Sequence, residues 1–406
     1  MPSPVADIQH YMRAGTLQLK ELPPLSLYIH LPWCIRKCPY CDFNSHALAA
    51  PQADDGQQRM AHYLQALEAD LDAALPLIWG RSVISIFIGG GTPSLFSARQ
   101  IDQLLASVRA RLRLMPGCEV TLEANPGTFE TDRFAAYREA GVTRLSIGVQ
   151  SFNDEHLQKL GRVHSRAQAL AAVEEARGAF ETFNLDLMYA LPGQSLAMLD
   201  EDLATALALA PAHLSVYHLT IEPNTFFAKY PPPLPGDDLA YEMLDHITAA
   251  TARHGLQRYE VSAYARAGHQ CVHNLNYWQF GDYLGIGAGA HSKLSFAHRI
   301  IRQVRVRDPQ RYMAAALQQQ AVAQETEVPR QDLPFEFMLN ALRLREGFEL
   351  PDYLARTGMP LSSIEAGVQQ GLALGLLERP DGDNQRIRPT ERGFDFLSDL
   401  QEVFIP

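Results

Sequence analysis

Between residues 25 and 219, short apolar runs alternate with longer amphipathic stretches. The runs at 25–30, 83–88, 119–123, 144–148, 184–188 and 213–219 have the length and composition of buried strands. Patterns at 59–77, 98–113, 131–140, 167–180 and 198–208 repeat with helical period. Strands alternating with helices in right-handed crossovers predict a parallel sheet, either barrel or doubly wound. The chemistry-bearing residues crowd just beyond the strand ends: a cysteine loop after the first, Gly89-Gly-Gly-Thr-Pro93 after the second, Glu123 at the third and Gln150 after the fourth. Asp186 lies in the fifth run, and Tyr217 and His218 lie in the sixth. Barrels of this kind build their sites at that end of the sheet. Six repeats rather than eight predict an α/β fold with a partial, TIM-like (β/α)6 barrel, open at the side.

A proline-rich break at 231–235 is followed by a helical pattern at 239–254 and apolar pieces at 259–264 and 283–291. The basic, then glutamine-rich stretch 299–324 reads as a connector with one helix. From Leu333 the pattern is helix, short helix, helix, hairpin, helix, with the hairpin turning at Asp381 and Gly382, as in a small winged-helix-like domain. The expected organisation is an N-terminal extension (1–21, with Met12 an alternative start), a partial barrel (22–265), an extension and connector (266–332) and a C-terminal, mostly α unit (333–406).

The bulk properties narrow the function. With 35 Lys+Arg against 46 Asp+Glu, the chain is acidic, which argues against a partner bound through nucleic-acid phosphates and favours a packing or lid role for the wing. No apolar run is long enough to span a membrane, and residues 1–10 lack the basic start and apolar core of a signal peptide. Only five cysteines occur in 406 residues, three of them in one loop, which describes reduced thiols in the cytoplasm rather than a disulfide framework.

Cys34-Ile-Arg-Lys-Cys38-Pro-Tyr-Cys41 brings three thiolates together with no fourth cysteine nearby. Such a set can hold three irons of a [4Fe-4S] cube and leave one iron open. Structural zinc is the rival: His30 or His46 would have to complete four ligands, at a spacing that zinc knuckles rarely use. Cys118 and Cys271 stand alone and are expected to be small buried residues. The glycine triplet lets backbone approach a ligand closely. The carboxylates Glu123 and Asp186 and the amide of Gln150 suit a ribose and an α-amino head group, and Arg162 suits a carboxylate.

The x3, x2 spacing followed by an aromatic residue resembles radical S-adenosylmethionine (SAM) proteins. Over nearly the whole chain the sequence is similar to the oxygen-independent coproporphyrinogen III oxidase family, through Tyr28-Ile-His-Leu-Pro-Trp-Cys34, Gly89-Gly-Gly-Thr-Pro93, Gly148-Val-Gln-Ser-Phe152 and Asp186-Leu-Met-Tyr-Ala-Leu-Pro-Gly193. The resemblance implies that Cys34, Cys38 and Cys41 hold the cluster. It implies that Tyr28, Gly90, Gly91, Thr92, Glu123, Gln150, Arg162 and Asp186 contact SAM. Two departures point to the haem chaperone branch, the HemW-type proteins. Phe43 stands where the oxidases carry a fourth cysteine, and the front end is short. His273-Asn-Leu-Asn-Tyr-Trp278 matches a motif associated with haem in that branch. Haem candidates are therefore His273, Asn274, Tyr277, Trp278 and His291, with His218 a further imidazole. The implied partners are haem, haem-acceptor proteins that include membrane-associated haemoproteins, and an electron donor. The rival functions are coproporphyrinogen III decarboxylation, radical SAM methyl transfer and a binding module with a merely structural cluster.

Overall fold

A computed structural model describes residues 8–48, 53–127, 133–380 and 382–405. The first two residues of the helix expected at 131–140, Asp381 of the hairpin turn, and the start of the N-terminal extension lie outside them. The six expected strands form as β1 (Leu25–Leu31), β2 (Ser82–Gly90), β3 (Arg113–Ala124), β4 (Arg144–Gln150), β5 (Phe183–Tyr189) and β6 (His213–His218). They are parallel neighbours in chain order. Their apolar side chains and those of the covering helices, such as Asp54–Ala74 and Ala98–Arg111, fill one large core. The helix Ala98–Arg111 begins with a capping box, Ser97 and Gln100 each bonding the other's backbone N–H, which fixes where the chain leaves the sheet.

The sheet is larger than six strands. It runs to twelve, with β7 (Gln257–Arg258), β8 (Ala263–Ala265), β9 (Asp282–Ile286), β10 (His291–Phe296), β11 (Arg299–Arg305) and β12 (Val322–Glu327) in the order β12-β11-β10-β9-β1-β2-β3-β4-β5-β6-β8-β7. Among the described residues its two edges do not pair with each other, so the barrel stays open. β9 lies parallel to β1, and β10 to β12 continue antiparallel. The stretch 299–324 is thus no mere connector: it supplies β11, the helix Pro309–Ala316 and the start of β12. Its arginines misled because they find partners inside. Arg305, almost fully buried, reaches Asp70 at 3.2 Å, and Arg302 pairs with Glu336. Asp282, at the start of β9, is fully buried between Arg81 (2.8 Å) and Lys293 (3.0 Å) and accepts from the Ser295 N–H and hydroxyl. These ties lock the added strands to the barrel.

The N-terminal segment is likewise more than an appendage. Tyr11 stacks on Phe296 and donates to Glu325, while Leu17 and Leu19 are buried and bond His298 and Ala297 through their backbone N–H groups. Leu17 and Leu19 join a second core with Phe337, Tyr353 and Ile387 of the C-terminal unit. That unit has the expected helices Leu333–Ala341, Leu350–Thr357 and Glu365–Ala373, with a three-stranded sheet of β13 (Phe348–Glu349), β14 (Leu377–Glu378) and β15 (Arg386–Pro389). The hairpin of β14 and β15 is the wing.

Candidate functional site

The cysteine loop leaves β1 and is closed at its base where Trp33–Cys34 pairs with His46–Ala47. Between these points the Cys41 N–H bonds the Cys38 carbonyl at 3.2 Å, a tight turn of the backbone between the last two cysteines. All five cysteines are free. Cys34, Cys38 and Cys41 line one cavity of about 380 Å³ at the strand ends. Burial pushes the Cys34 thiol up, against hydrogen bonding from Thr92, and the neighbouring Cys41 and Cys38 push it further. The Arg162 guanidinium donates to Cys38 Sγ at 3.7 Å. Among the described residues no three His, Cys, Asp or Glu side chains converge on a single ion position. A cube takes one thiolate at each of three separate irons, and three free thiols lining one cavity, with a cation beside one of them, fit it. His30 and His46 are engaged with Asn44, through its carbonyl at 3.0 Å and its Oδ1 at 3.2 Å. Cys271 is buried, its Sγ 3.5 Å from Glu119 Oε1, and Cys118 is partly buried; neither lines this cavity.

Seven of the eight SAM candidates share that cavity: Gly90, Gly91, Thr92, Glu123, Gln150, Arg162 and Asp186. Gly90 has φ +117°, and a Cβ there would sit 2.4 Å from the His30 ring; one at Gly91 would sit 2.6 Å from the Trp33 carbonyl. Both glycines are therefore demanded by contact with the chain leaving β1 as well as by any ligand. The Gly90 N–H donates to Glu123 Oε2 at 3.0 Å. Burial, with Asp186 nearby, pushes the Glu123 carboxyl up to about 7 against that bond. Burial also raises Asp186, opposed by bonds from Asn184 (2.7 Å) and Ser146 (3.1 Å). Arg162 donates to the Gly148 carbonyl at 2.8 Å and to Asn125 Oδ1, whose amide in turn donates to Thr92 Oγ1 at 2.9 Å. Gln150 ends β4 with φ +68°, the left-handed region, turning its side chain at the rim. Tyr28 is the exception: its hydroxyl meets His30 Nδ1 at 2.9 Å, and it lines the next cavity instead.

Sequence reasoning missed Arg144, Ser146, Asn125 and Asn184, which line the same cavity. Arg144 had a signal, since it opens a buried parallel strand built largely of Leu, Ile and Val, where a charge is rarely idle.

A second cavity, of about 550 Å³, adjoins the first and shares Asp42, Phe43, Gly90 and Glu123 with it. Here the structure brings together His273, Tyr277 and His291, with Tyr28, His30 and Tyr283. His273 lies on the helix Val272–Trp278, whose first N–H groups bond Glu119 Oε1, Val272 at 3.0 Å and His273 at 3.4 Å. Its Nδ1 meets Ser85 Oγ at 3.2 Å, and its ring packs against Phe87 with centroids 5.1 Å apart. Burial drives its pKa down to about 3, so the imidazole is neutral at physiological pH. His291 begins β10 rather than ending a strand. The other haem candidates diverge. Asn274 and His218 line the cysteine cavity, whereas Trp278 lines neither and lies under Arg343, whose guanidinium is 4.2 Å from its ring.

Comparison with known proteins agrees with this architecture. The Radical SAM superfamily profile matches residues 28–206, and the HemN C-terminal domain profile matches 328–396. The sequence is 48% identical over 387 residues to the heme chaperone HemW of Escherichia coli (strain K12), covering 95% of this chain and 99% of that protein. It is 46% identical over 389 residues to the heme chaperone HemW of Haemophilus influenzae, with the same coverage. The fold is similar to the solved coproporphyrinogen III oxidase (HemN) from Escherichia coli, a radical SAM enzyme, with a TM-score of 0.79 at 23% identity over 100% of this chain and 99% of that one.

Proposed function

The chain belongs to the HemW family of radical SAM proteins, and we propose that it binds haem, one [4Fe-4S] cluster and SAM, and hands haem to acceptor proteins. The observation that carries this reading is the near-full-length likeness to proteins named heme chaperones. The cavity that holds His273, Tyr277 and His291 beside the cysteine cavity supports it. No described helix is long and apolar enough to cross a membrane, and we place the activity in the cytoplasm, with delivery to membrane-associated haemoproteins at its surface.

In this proposal Cys34, Cys38 and Cys41 hold the cluster, which when bound supplies one-electron reduction of the SAM sulfonium. Glu123 and Asp186 receive the ammonium and ribose hydroxyls of SAM, while Gly90 and Gly91 let its methionine end approach the backbone. Arg162, braced by Asn125 and the Gly148 carbonyl, holds a positive charge beside Cys38 Sγ. His273 offers a neutral imidazole to haem iron, and Tyr277 an aromatic edge to the ring. Residues 22–265 form the cluster and SAM unit. Residues 266–332 act as the haem-binding part, residues 333–406 cover it, and Tyr11, Leu17 and Leu19 of the N-terminal extension brace the two cores.

The test is direct. Purified, reconstituted protein is incubated with coproporphyrinogen III, SAM and a reductant and read by mass spectrometry, and in parallel titrated with haem and mixed with an apo-haemoprotein. One haem bound per chain, transfer to the acceptor and no decarboxylated porphyrinogen is the expected result. Protoporphyrinogen formed at enzymatic rates would replace this reading with the oxidase.

A further inference from the structure

The wall of the second cavity is not uniform in charge. Arg302, from β11, and Arg307, two residues beyond its end, stand on the side built from the added strands. The cavity's carboxyls, Asp42 and Glu123, come from the cysteine loop and β3, on the other side of β1 in the sheet. Between them lie the aromatic rings of Tyr28, Tyr277 and Tyr283 and the imidazoles. A cavity that is cationic along one edge and aromatic across its body suits a flat ring system carrying carboxylates on one side.

Arg302 is built for this. Its Nε and Nη2 donate to Glu336 and its Nη1 to the Tyr283 hydroxyl at 3.3 Å. That uses three of the five N–H donors of a guanidinium and leaves one on each terminal nitrogen. The ion pair with Glu336, on the helix Leu333–Ala341, therefore aims the fork and does not exhaust it. Arg307 is exposed and makes no ion pair among the described residues.

We propose that Arg302 and Arg307 anchor the carboxylates of a planar dicarboxylate tetrapyrrole in the second cavity, with Glu336 as a positioning residue for Arg302. This rests on the haem-binding reading above and adds to it the groups that read the carboxylate edge. The site recognises the acid groups separately from the metal, so metal-free protoporphyrin IX binds through the same arginines.

Haem, metal-free protoporphyrin IX and haem dimethyl ester are titrated into the full chain, its R302Q, R307Q and R302Q/R307Q variants, and E336Q. Wild type should prefer the two diacids over the diester by about tenfold or more, the size of a charge-assisted hydrogen bond lost. R302Q and R307Q should each erode that preference and the double variant abolish it, with the diester bound equally by all. R307Q, altered at an exposed and unpaired side chain, keeps the test valid if R302Q loosens the fold. E336Q loses the charge that aims Arg302 but keeps Arg302 itself, and should erode the preference less than R302Q does. A double variant that discriminates as wild type does would overturn the proposal. So would E336Q weakening diacid binding as much as R302Q, because the Arg302 effect would then be structural. Failure of wild type to bind any of the three porphyrins sinks the haem-binding reading itself, an outcome distinct from binding without carboxylate discrimination.

Discussion

The two cavities share a wall but differ in origin. The cysteine cavity is made by the ends of β1 to β6, the repeating barrel, and its lining sets thiols, carboxyls, amides and three guanidinium groups among aromatic and aliphatic side chains. Its neighbour is made by β1 with β9 to β11 and the helix Val272–Trp278, and its lining is aromatic and imidazole-rich. The Radical SAM superfamily profile covers residues 28–206, while His273, Tyr277, His291 and Arg302 of the second cavity lie beyond it. In the function proposed above, the first cavity therefore serves the shared chemistry and the second the particular cargo. Phe43, 66% exposed and lining both cavities, stands at the border, at the position where the resemblance to the oxidases expects a cysteine.

The strongest way to break this division is at the thiols. Replacing Cys34, Cys38 or Cys41 by Ala should remove the cluster entirely, as read by iron and sulfide content, yet leave haem titration in place. Cys118→Ala and Cys271→Ala should retain full iron. Loss of haem binding together with the cluster would show that the cavities are one site.

Next in size is the lock that holds the added strands. Asp282→Asn leaves Lys293 buried without its counter-charge and should cost about 3–5 kcal/mol in denaturant unfolding. Although burial pushes its carboxyl up, Lys293, Arg81 and the Ser295 bonds outweigh that and hold it below the ordinary value of 3.8. Its contribution is thus present above that pH and is lost as the pH falls through the folded value. An Asp282→Asn variant as stable as wild type at pH 7 would remove the lock from the account.

Glu123, on the shared wall, has the opposite sign. Its folded pKa of about 7 lies above the ordinary 4.5, so the folded chain keeps a proton that the unfolded chain releases. Stability therefore falls as pH rises from 4.5 to about 7, by at most about 3 kcal/mol, less where cavity water screens the charge. Glu123→Gln should flatten that slope in unfolding measured at pH 5 and pH 8. SAM affinity should move the other way, weakening in wild type below pH 7 as the carboxylate is lost, and lying about tenfold lower in Glu123→Gln at pH 8 by equilibrium dialysis. Identical pH profiles for the two proteins would remove Glu123 from the SAM site.

The smallest effect sharpens the cargo side. His273→Ala should shift the Soret band and weaken haem retention, with His291→Ala and His218→Ala doing so less, because burial drives His273 down to about 3 and its ring packs against Phe87 on the cavity wall. An unchanged spectrum in His273→Ala would move the iron ligand to His291.

Periodicity and residue type by themselves determined the six barrel strands, the helices between them, the cysteine loop and the crowding of polar groups at the strand ends, because those features are local. A strand is recorded in its own apolar run, and a parallel sheet puts all its ends on one side. Only the tertiary structure decided that 299–324 contributes strands, since Arg302 and Arg305 look like surface until Glu336 and Asp70, 34 and 235 residues away along the chain, neutralise them. It likewise placed Tyr28 beside His273 rather than among the thiols, sent Trp278 under Arg343 and drew Arg144 into the cysteine cavity. Those outcomes depend on which segments lie side by side in space. β9 lies against β1 across some 250 residues of chain, and no window on the sequence spans that distance.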